Sequence, residues 1–72
     1  MLTVLYIGDK LRKTRKYALL TQQQLADKSG VGIATIARIE RNQVEPQART
    51  IRKLAQALGV EPYELLKGES HE

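Results

Sequence analysis

Apolar residues recur at helical spacing along most of the chain. The clearest case is the segment ARTIRKLAQAL, whose apolar positions are Ile51, Leu54, Ala55 and Leu58. A spacing of three or four residues places these side chains on one face of an α-helix. After residue 7 the chain has no long alternating run of β-branched residues. The pattern therefore predicts an all-α domain.

Capping residues and glycines divide this pattern into separate helices. Thr21 is a good N-cap residue, and Gln24 follows it at the spacing of a capping box. Leu20 and Leu25 have the spacing of a hydrophobic staple around the same helix start. Gly30 can end that helix because glycine adopts the left-handed conformation at little cost. We predict five helices, at about residues 8–18, 22–29, 32–41, 47–58 and 62–67.

The remaining boundaries depend on single residues. Asn42 is suited to a left-handed stop after the third helix, and Gly59 closes the fourth. Pro62 fits the first position of the fifth helix, where its missing N–H removes no hydrogen bond. Ile7, just before the first helix, lies on the same face as Leu11 because the two are four residues apart.

The second and third predicted helices are separated by a turn of about three residues around Gly30. Two helices joined in this way form a helix-turn-helix unit. Ala26 lies four residues before Gly30, where a small side chain lets the two backbones approach closely. A larger side chain at this position would overpack the crossing, at a cost of about 1–3 kcal/mol.

The chain has 72 residues and no cysteine. This length predicts one domain, which we divide into an apolar arm at residues 1–7, a helical domain at 8–67 and a polar tail at 68–72. Without cysteine there is no disulfide framework, thiolate zinc site or thiol nucleophile. The apolar opening MLTVLYI is too short to span a membrane and lacks the flanks of a signal peptide. We expect a cytoplasmic protein with no membrane partner.

The net charge of +4 is unevenly distributed. Residues 1–56 carry 11 Lys and Arg against 4 Asp and Glu, a balance of +7. Residues 57–72 carry one Lys against 4 Glu, a balance of −3. A basic body with an acidic end is compatible with a polyanionic partner, but it also fits an ordinary solvated surface. Charge alone does not choose between them.

The segment LTQQQLADKSGVGIATIARIERN, followed by EP and IRKLAQALGVEPYELL, resembles the Cro/C1-type helix-turn-helix family of bacterial and phage DNA-binding regulators. The likeness covers about residues 7–67. It implies a compact five-helix fold of the lambda-repressor type, whose third helix enters the DNA major groove. It also implies a repressor-like transcriptional regulator that binds double-stranded DNA, with a homodimer on a palindromic operator. We expect no enzymatic activity, cofactor, metal or small-molecule ligand.

The resemblance also implies roles for individual residues. In relatives, an arginine in the first helix pairs with a glutamate near the end of the third, and those positions match Arg15 and Glu40. The position of Gln22 matches a residue that holds a backbone phosphate. The family usually has Ser or Thr at position 32 and polar or basic residues at 33 and 34. This chain departs from the family at all three positions.

A recognition helix reads bases mainly with its N-terminal half. Arg38 lies one turn beyond Ala34 and points the same way, and arginine commonly binds guanine in the major groove. Arg41 and Asn42 lie near the end of the same helix. We therefore expect base contacts from Ile33, Ala34, Thr35 and Arg38. We expect phosphate contacts from Gln22, Gly32, Arg41 and Asn42.

Several alternatives stay open at the level of sequence. Ile33 either reads thymine methyl groups or packs sideways on the turn or on a partner protein. Tyr17 and Tyr63 fit core or dimer-contact positions. The apolar arm is either covered by a second subunit or left loose, or it folds back on its own helices. A protein-interaction module with the same fold, such as an antitoxin or a coactivator-like protein, is the alternative function.

Overall fold

The computed structural model describes residues 6–66, and these residues form five α-helices. The helices are α1 at Gly8–Tyr17, α2 at Gln22–Ser29, α3 at Ile33–Glu40, α4 at Ala48–Leu58 and α5 at Pro62–Leu66. Within this range there is no strand, so the predicted all-α, five-helix fold is confirmed. Most of the predicted arm and the polar tail lie outside the described residues.

Several helix ends differ by one residue from the predicted boundaries. Ala18 is the C-cap of α1, and Arg41 is the C-cap of α3. Gly32 and Gln47 are N-caps rather than helical residues because their backbones are extended, with ψ values of 144° and 158°. The predicted last residue of the fifth helix, at position 67, lies beyond the described range.

Every helix contributes to one hydrophobic core. Its fully buried side chains are Leu11, Leu25, Ile36, Ile39, Leu54 and Leu65. In the arrangement of the helices, α2 packs against α3 and α4, while α1 packs against α3 and α5. Burial of apolar surface is the main force that stabilises such a fold. The consequence for function is that α2 and α3 are held in a fixed relation by the rest of the domain.

The end of α1 departs from the predicted pattern. The side chains of Tyr17 and Leu19 are 89% and 87% exposed, so Tyr17 is not a core residue. Leu19 also has a φ of 60°, in the left-handed region that β-carbon-bearing residues disfavour. The buried position in this last turn is instead Arg15. Tyr63 of α5 is likewise exposed, so the core interpretation is wrong for both tyrosines.

Candidate nucleic-acid interface

The turn between α2 and α3 has the geometry that the sequence predicts. The capping box is complete, because Gln24 N donates to Thr21 Oγ1 at 3.0 Å and Thr21 N donates to Gln24 Oε1 at 2.8 Å. Gly30 ends α2 with a φ of 77°. Val31 is buried, and its amide donates to the hydroxyl of Ser29 at 3.1 Å. This short, hydrogen-bonded turn sets the start of α3.

Helix α3 has one buried face and one exposed face. Ile36 and Ile39 are fully buried against the rest of the core. The opposite face carries the exposed residues Ala34 and Arg38, and Ile33, at the first position of the helix, is also exposed. Thr35 lies at the margin and is half-buried, while Gly32 and Arg41 flank the helix and are exposed. The four residues expected to contact bases therefore lie on or beside the surface that α3 presents to solvent.

A buried ion pair joins α1 to the end of α3. Arg15 Nε donates to Glu40 Oε2 at 2.6 Å, and Arg15 Nη2 donates to Glu40 Oε1 at 3.0 Å. The third guanidinium nitrogen, Nη1, donates to the backbone oxygen of Leu20 at 2.8 Å. Two parallel hydrogen bonds between a guanidinium and a carboxylate fix both the distance and the orientation of the two groups. The pair therefore fixes the position of α3 relative to α1.

The charged states of this pair follow from its surroundings. Burial alone would raise the pKa of the Glu40 carboxyl, but hydrogen bonds from Arg15 and Gln22 and nearby positive charges lower the pKa below its ordinary value of 4.5. The hydrogen bond to Glu40 raises the pKa of the Arg15 guanidinium, against the effect of desolvation. Both side chains are therefore charged at neutral pH.

Gln22 lies at the first position of α2, next to this pair. Its side-chain Nε2 donates to Glu40 Oε1 at 3.1 Å, so the amide is already oriented by a buried carboxylate. Backbone N–H groups at the start of a helix are ready donors to a phosphate. The phosphate contact expected from Gln22 stays a prediction.

Asn42 has a structural role that the sequence did not reveal. Its φ is 57°, as expected for a left-handed stop, and its side-chain Oδ1 accepts a hydrogen bond of 2.9 Å from Gly8 N. The oxygen of the amide is thus occupied by the first residue of α1. A phosphate contact from Asn42 has to come from its Nδ2 group or its backbone.

Gly8 is the second residue whose importance the sequence did not reveal. A β-carbon at this position would lie 2.5 Å from Asn42 Oδ1 and 2.6 Å from the backbone oxygens of both Ile39 and Glu40. The start of α1 can therefore approach the end of α3 only because residue 8 is glycine. The sequence signal was available, since glycine is a poor helix former and here begins a helix.

Other kinds of site find no support in the described part of the chain. Residues 6–66 contain no group of three or more His, Cys, Asp or Glu side chains that could hold a metal ion. No helix within the same range has the length and apolar character needed to cross a membrane.

A family model described as helix-turn-helix matches residues 11–65, which include the turn, α3 and the ion pair. The chain belongs to the Cro/C1-type helix-turn-helix family. Among curated relatives, it is 48% identical over 58 residues to the HTH-type transcriptional repressor RghR of Bacillus subtilis. This alignment covers 79% of this chain and 42% of RghR. The chain spans about half the length of the first curated relatives it matches.

Solved structures of the family have the same fold. The restriction-modification controller protein C.AhdI from Aeromonas hydrophila superposes with a TM-score of 0.80 and 38% identity, over 85% of this chain and 92% of that one. The P22 c2 repressor protein, in complex with a synthetic operator, superposes with a TM-score of 0.79 and 31% identity. That match covers 94% of this chain and 100% of the P22 chain. The helix-turn-helix unit of this family member is thus part of a fold shared over nearly the whole domain.

Proposed function

We propose that this protein is a sequence-specific DNA-binding transcriptional regulator that acts as a repressor. The observation that carries the proposal is the exposed surface of α3, which presents Ile33, Ala34 and Arg38 at the outside of a helix-turn-helix unit. A relative is named a transcriptional repressor, and the P22 c2 repressor has been solved with a synthetic operator; both support the proposal. Because a regulator must reach DNA, we propose a cytoplasmic location.

In this proposal α3 lies in the major groove. Ile33, Ala34, Thr35 and Arg38 contact base edges, and Arg38 binds the O6 and N7 acceptors of a guanine. Contacts to phosphates fix the position of the domain on the duplex without reading sequence. We assign these contacts to Gln22, Gly32, Arg41 and Asn42.

We further propose that the protein binds DNA as a homodimer. Tyr63 and Leu66 of α5 are exposed, and Leu66 borders a groove of about 350 Å³ between α4 and α5. The other groove residues are Ala48, Ile51, Arg52 and Pro62. An apolar groove beside exposed apolar side chains is a common feature of protein contacts. A dimer places two recognition helices about 34–36 Å apart on a palindromic site.

Equilibrium sedimentation of three proteins tests the dimer. We expect the full chain to dimerise and a Leu66→Lys variant to be monomeric. A third protein, without residues 1–6, tests the predicted role of the arm, most of which lies outside the described residues. Loss of dimerisation in this third protein alone would assign the contact to the arm. A monomeric full chain at all concentrations would contradict the proposal.

Selection of binding sites from a random pool of DNA duplexes tests the DNA-binding function itself. We expect enrichment of a two-fold symmetric sequence whose half-sites are about 10 base pairs, one helical turn, apart. Binding that shows a steep dependence on salt but enriches no sequence would contradict the proposal, since non-specific binding is mainly electrostatic.

One observation favours the alternative of a protein-interaction module, such as an antitoxin or a coactivator-like protein. Tyr17 and Leu19 form an exposed apolar surface at the end of α1, and Leu19 adopts its left-handed backbone without a glycine. Apolar surface that is exposed at a conformational cost can be a site of protein contact. This function predicts an absence of sequence preference in the selection experiment.

A further inference from the structure

The N-terminal half of α3 has an unusual chemistry for a surface that reads DNA. The side chains of Ile33 and Ala34 have no hydrogen-bonding group, and Gly32 has no side chain. Most base readout in the major groove depends on hydrogen bonds between polar side chains and the edges of the bases. Among these positions only Thr35 carries a hydroxyl, and it is half-buried. Hydrogen bonding from the first turn of α3 is therefore limited to one side chain and the backbone.

The major-groove edges of the bases offer one apolar group, the C5 methyl of thymine. An apolar side chain can distinguish a thymine from the other bases by burying this methyl group. Cytosine, the other pyrimidine, has hydrogen at the same position. Ile33 and Ala34 therefore have the chemistry to select thymine and have little means of selecting any other base.

The position of Ile33 leaves part of its side chain open to a partner outside the domain. Ile33 is 40% exposed, and it lies outside the hydrophobic core that the described residues form. The other alternative left open by the sequence is sideways packing of Ile33 on the turn between α2 and α3 or on a partner protein. The experiment below separates it from a contact with DNA.

The side chain of Ile33 is suited to a shape-specific contact. A β-branched residue in a helix has one strongly preferred χ1 rotamer, so its two γ-carbons occupy a defined place. The backbone that carries it is also fixed, because the buried Val31 precedes the helix and Ile36 anchors its next turn in the core. A rigid apolar side chain on a rigid helix loses little conformational entropy on binding.

We propose that Ile33 is a specificity-determining residue that selects a thymine in each half-site by contact with its C5 methyl group. This proposal rests on the DNA-binding function proposed above.

Replacement of thymine by uracil tests the proposal because it removes only the methyl group. The binding site is first obtained by selection from the random pool. Duplexes with uracil at each thymine position in turn are then compared by fluorescence anisotropy at one salt concentration. Burial of one methyl group corresponds to about a fourfold change in affinity. Each half-site is expected to contain one thymine whose replacement by uracil, made alone, weakens binding of the unchanged protein by about this factor.

Three variants connect the effect to Ile33. In Ile33→Ala the uracil duplex and the thymine duplex should bind within a factor of about 1.5 of each other, since a methyl side chain buries much less surface than the sec-butyl group it replaces. Ile33→Val keeps the β-branch with its two γ-carbons and should retain the discrimination. Leu19→Ala removes a more exposed apolar side chain outside α3 and should also retain it. Because residues 19 and 33 both lie outside the core, all three proteins are expected to fold, which circular dichroism checks.

The outcomes separate this inference from the function on which it rests. A selected site at which no uracil substitution weakens binding, or a site without thymine in its half-sites, would overturn the role of Ile33 and leave specific DNA binding intact. If Ile33→Ala still binds the thymine duplex more tightly than the uracil duplex by the full factor, the role of Ile33 is also overturned. The methyl contact would then belong to another residue. A pool that yields no preferred sequence would overturn both proposals together.

Discussion

The backbone N–H of Gly8 donates a hydrogen bond of 2.9 Å to the side-chain oxygen of Asn42, which joins the first residue of α1 to a residue two positions beyond α3. The same approach leaves no room for a β-carbon at residue 8, because two backbone oxygens and the Asn42 amide lie within 2.6 Å of where it would be. The placement of α3 thus depends on a glycine in another helix.

Gly8→Ala is therefore expected to destabilise the protein, although alanine is the better helix former. Backbone oxygens at the end of α3 cannot turn away as a flexible side chain can. We expect a net loss of about 1–3 kcal/mol in the free energy of unfolding, measured by urea denaturation. Gly32→Ala is a matched control, since a β-carbon there has only one neighbouring atom within 4 Å, Thr35 Oγ1 at 3.9 Å. Equal stability of the two variants would contradict the close packing at Gly8.

The ion pair between Arg15 and Glu40 predicts a strongly non-additive mutant cycle. Either Arg15→Met or Glu40→Gln alone leaves a buried group without its charged partner. We expect each change to lower the free energy of unfolding by about 3–5 kcal/mol. The double variant should lose less than the sum of the two single changes. Thermal and urea unfolding of the four proteins measure the coupling. Additive losses would mean that the pair contributes no coupling.

The pH dependence of stability provides a separate test of Glu40. Because its pKa is lower in the folded protein than its ordinary value of 4.5, its contribution is fully present above that pH and is lost as the pH falls through the lowered pKa. The difference in unfolding free energy between the unchanged protein and Glu40→Gln should therefore be constant near neutral pH and shrink in acid. A difference that grows below pH 4.5 would contradict the lowered pKa.

Leu19 offers a way to stabilise the domain. Its left-handed backbone disfavours leucine, and its exposed side chain contributes little to the core. Asparagine tolerates this conformation, so Leu19→Asn should raise the unfolding free energy by about 1 kcal/mol. Leu19→Ala is the control, since it removes the exposed apolar surface but keeps the unfavourable backbone. A destabilised Leu19→Asn protein would show that the leucine makes a stabilising contact.

The features that could be predicted from the sequence depend on residues close together in the chain. The Thr21–Gln24 capping box joins residues three positions apart, and the left-handed residues Gly30 and Asn42 depend on the conformational freedom of one residue each. The periodic apolar residues of α3 and α4 likewise gave the correct buried faces, because a helix presents residues three or four apart on one side.

Contacts between segments far apart in the chain could not be predicted from local sequence patterns. The Gly8–Asn42 hydrogen bond joins residues 34 positions apart, and the bond from Gln22 to Glu40 joins residues 18 apart. No local pattern encodes the distance between such segments. The pairing of Arg15 with Glu40 was anticipated only through the family resemblance. The core position considered for Tyr17 was wrong, because the last turn of α1 buries Arg15 and leaves Tyr17 exposed.

The proposed function depends most on the base contacts proposed for α3, and Arg38 is the residue that should distinguish sequence reading from charge attraction. A contact to guanine affects only the correct duplex, whereas a contact to phosphate affects every duplex alike. Lys53→Ala is a suitable control because it removes the same charge from the exposed surface of α4.

The most direct measurement is the affinity of Arg38→Ala for the selected duplex and for a scrambled duplex of the same composition, at the same salt concentration. We predict that the variant loses about 1–3 kcal/mol of binding free energy on the selected duplex. It should bind the scrambled duplex nearly as well as the unchanged protein does. Lys53→Ala should keep the full ratio of the two affinities. An equal loss on both duplexes would contradict the assignment of α3 as the helix that reads the sequence through Arg38.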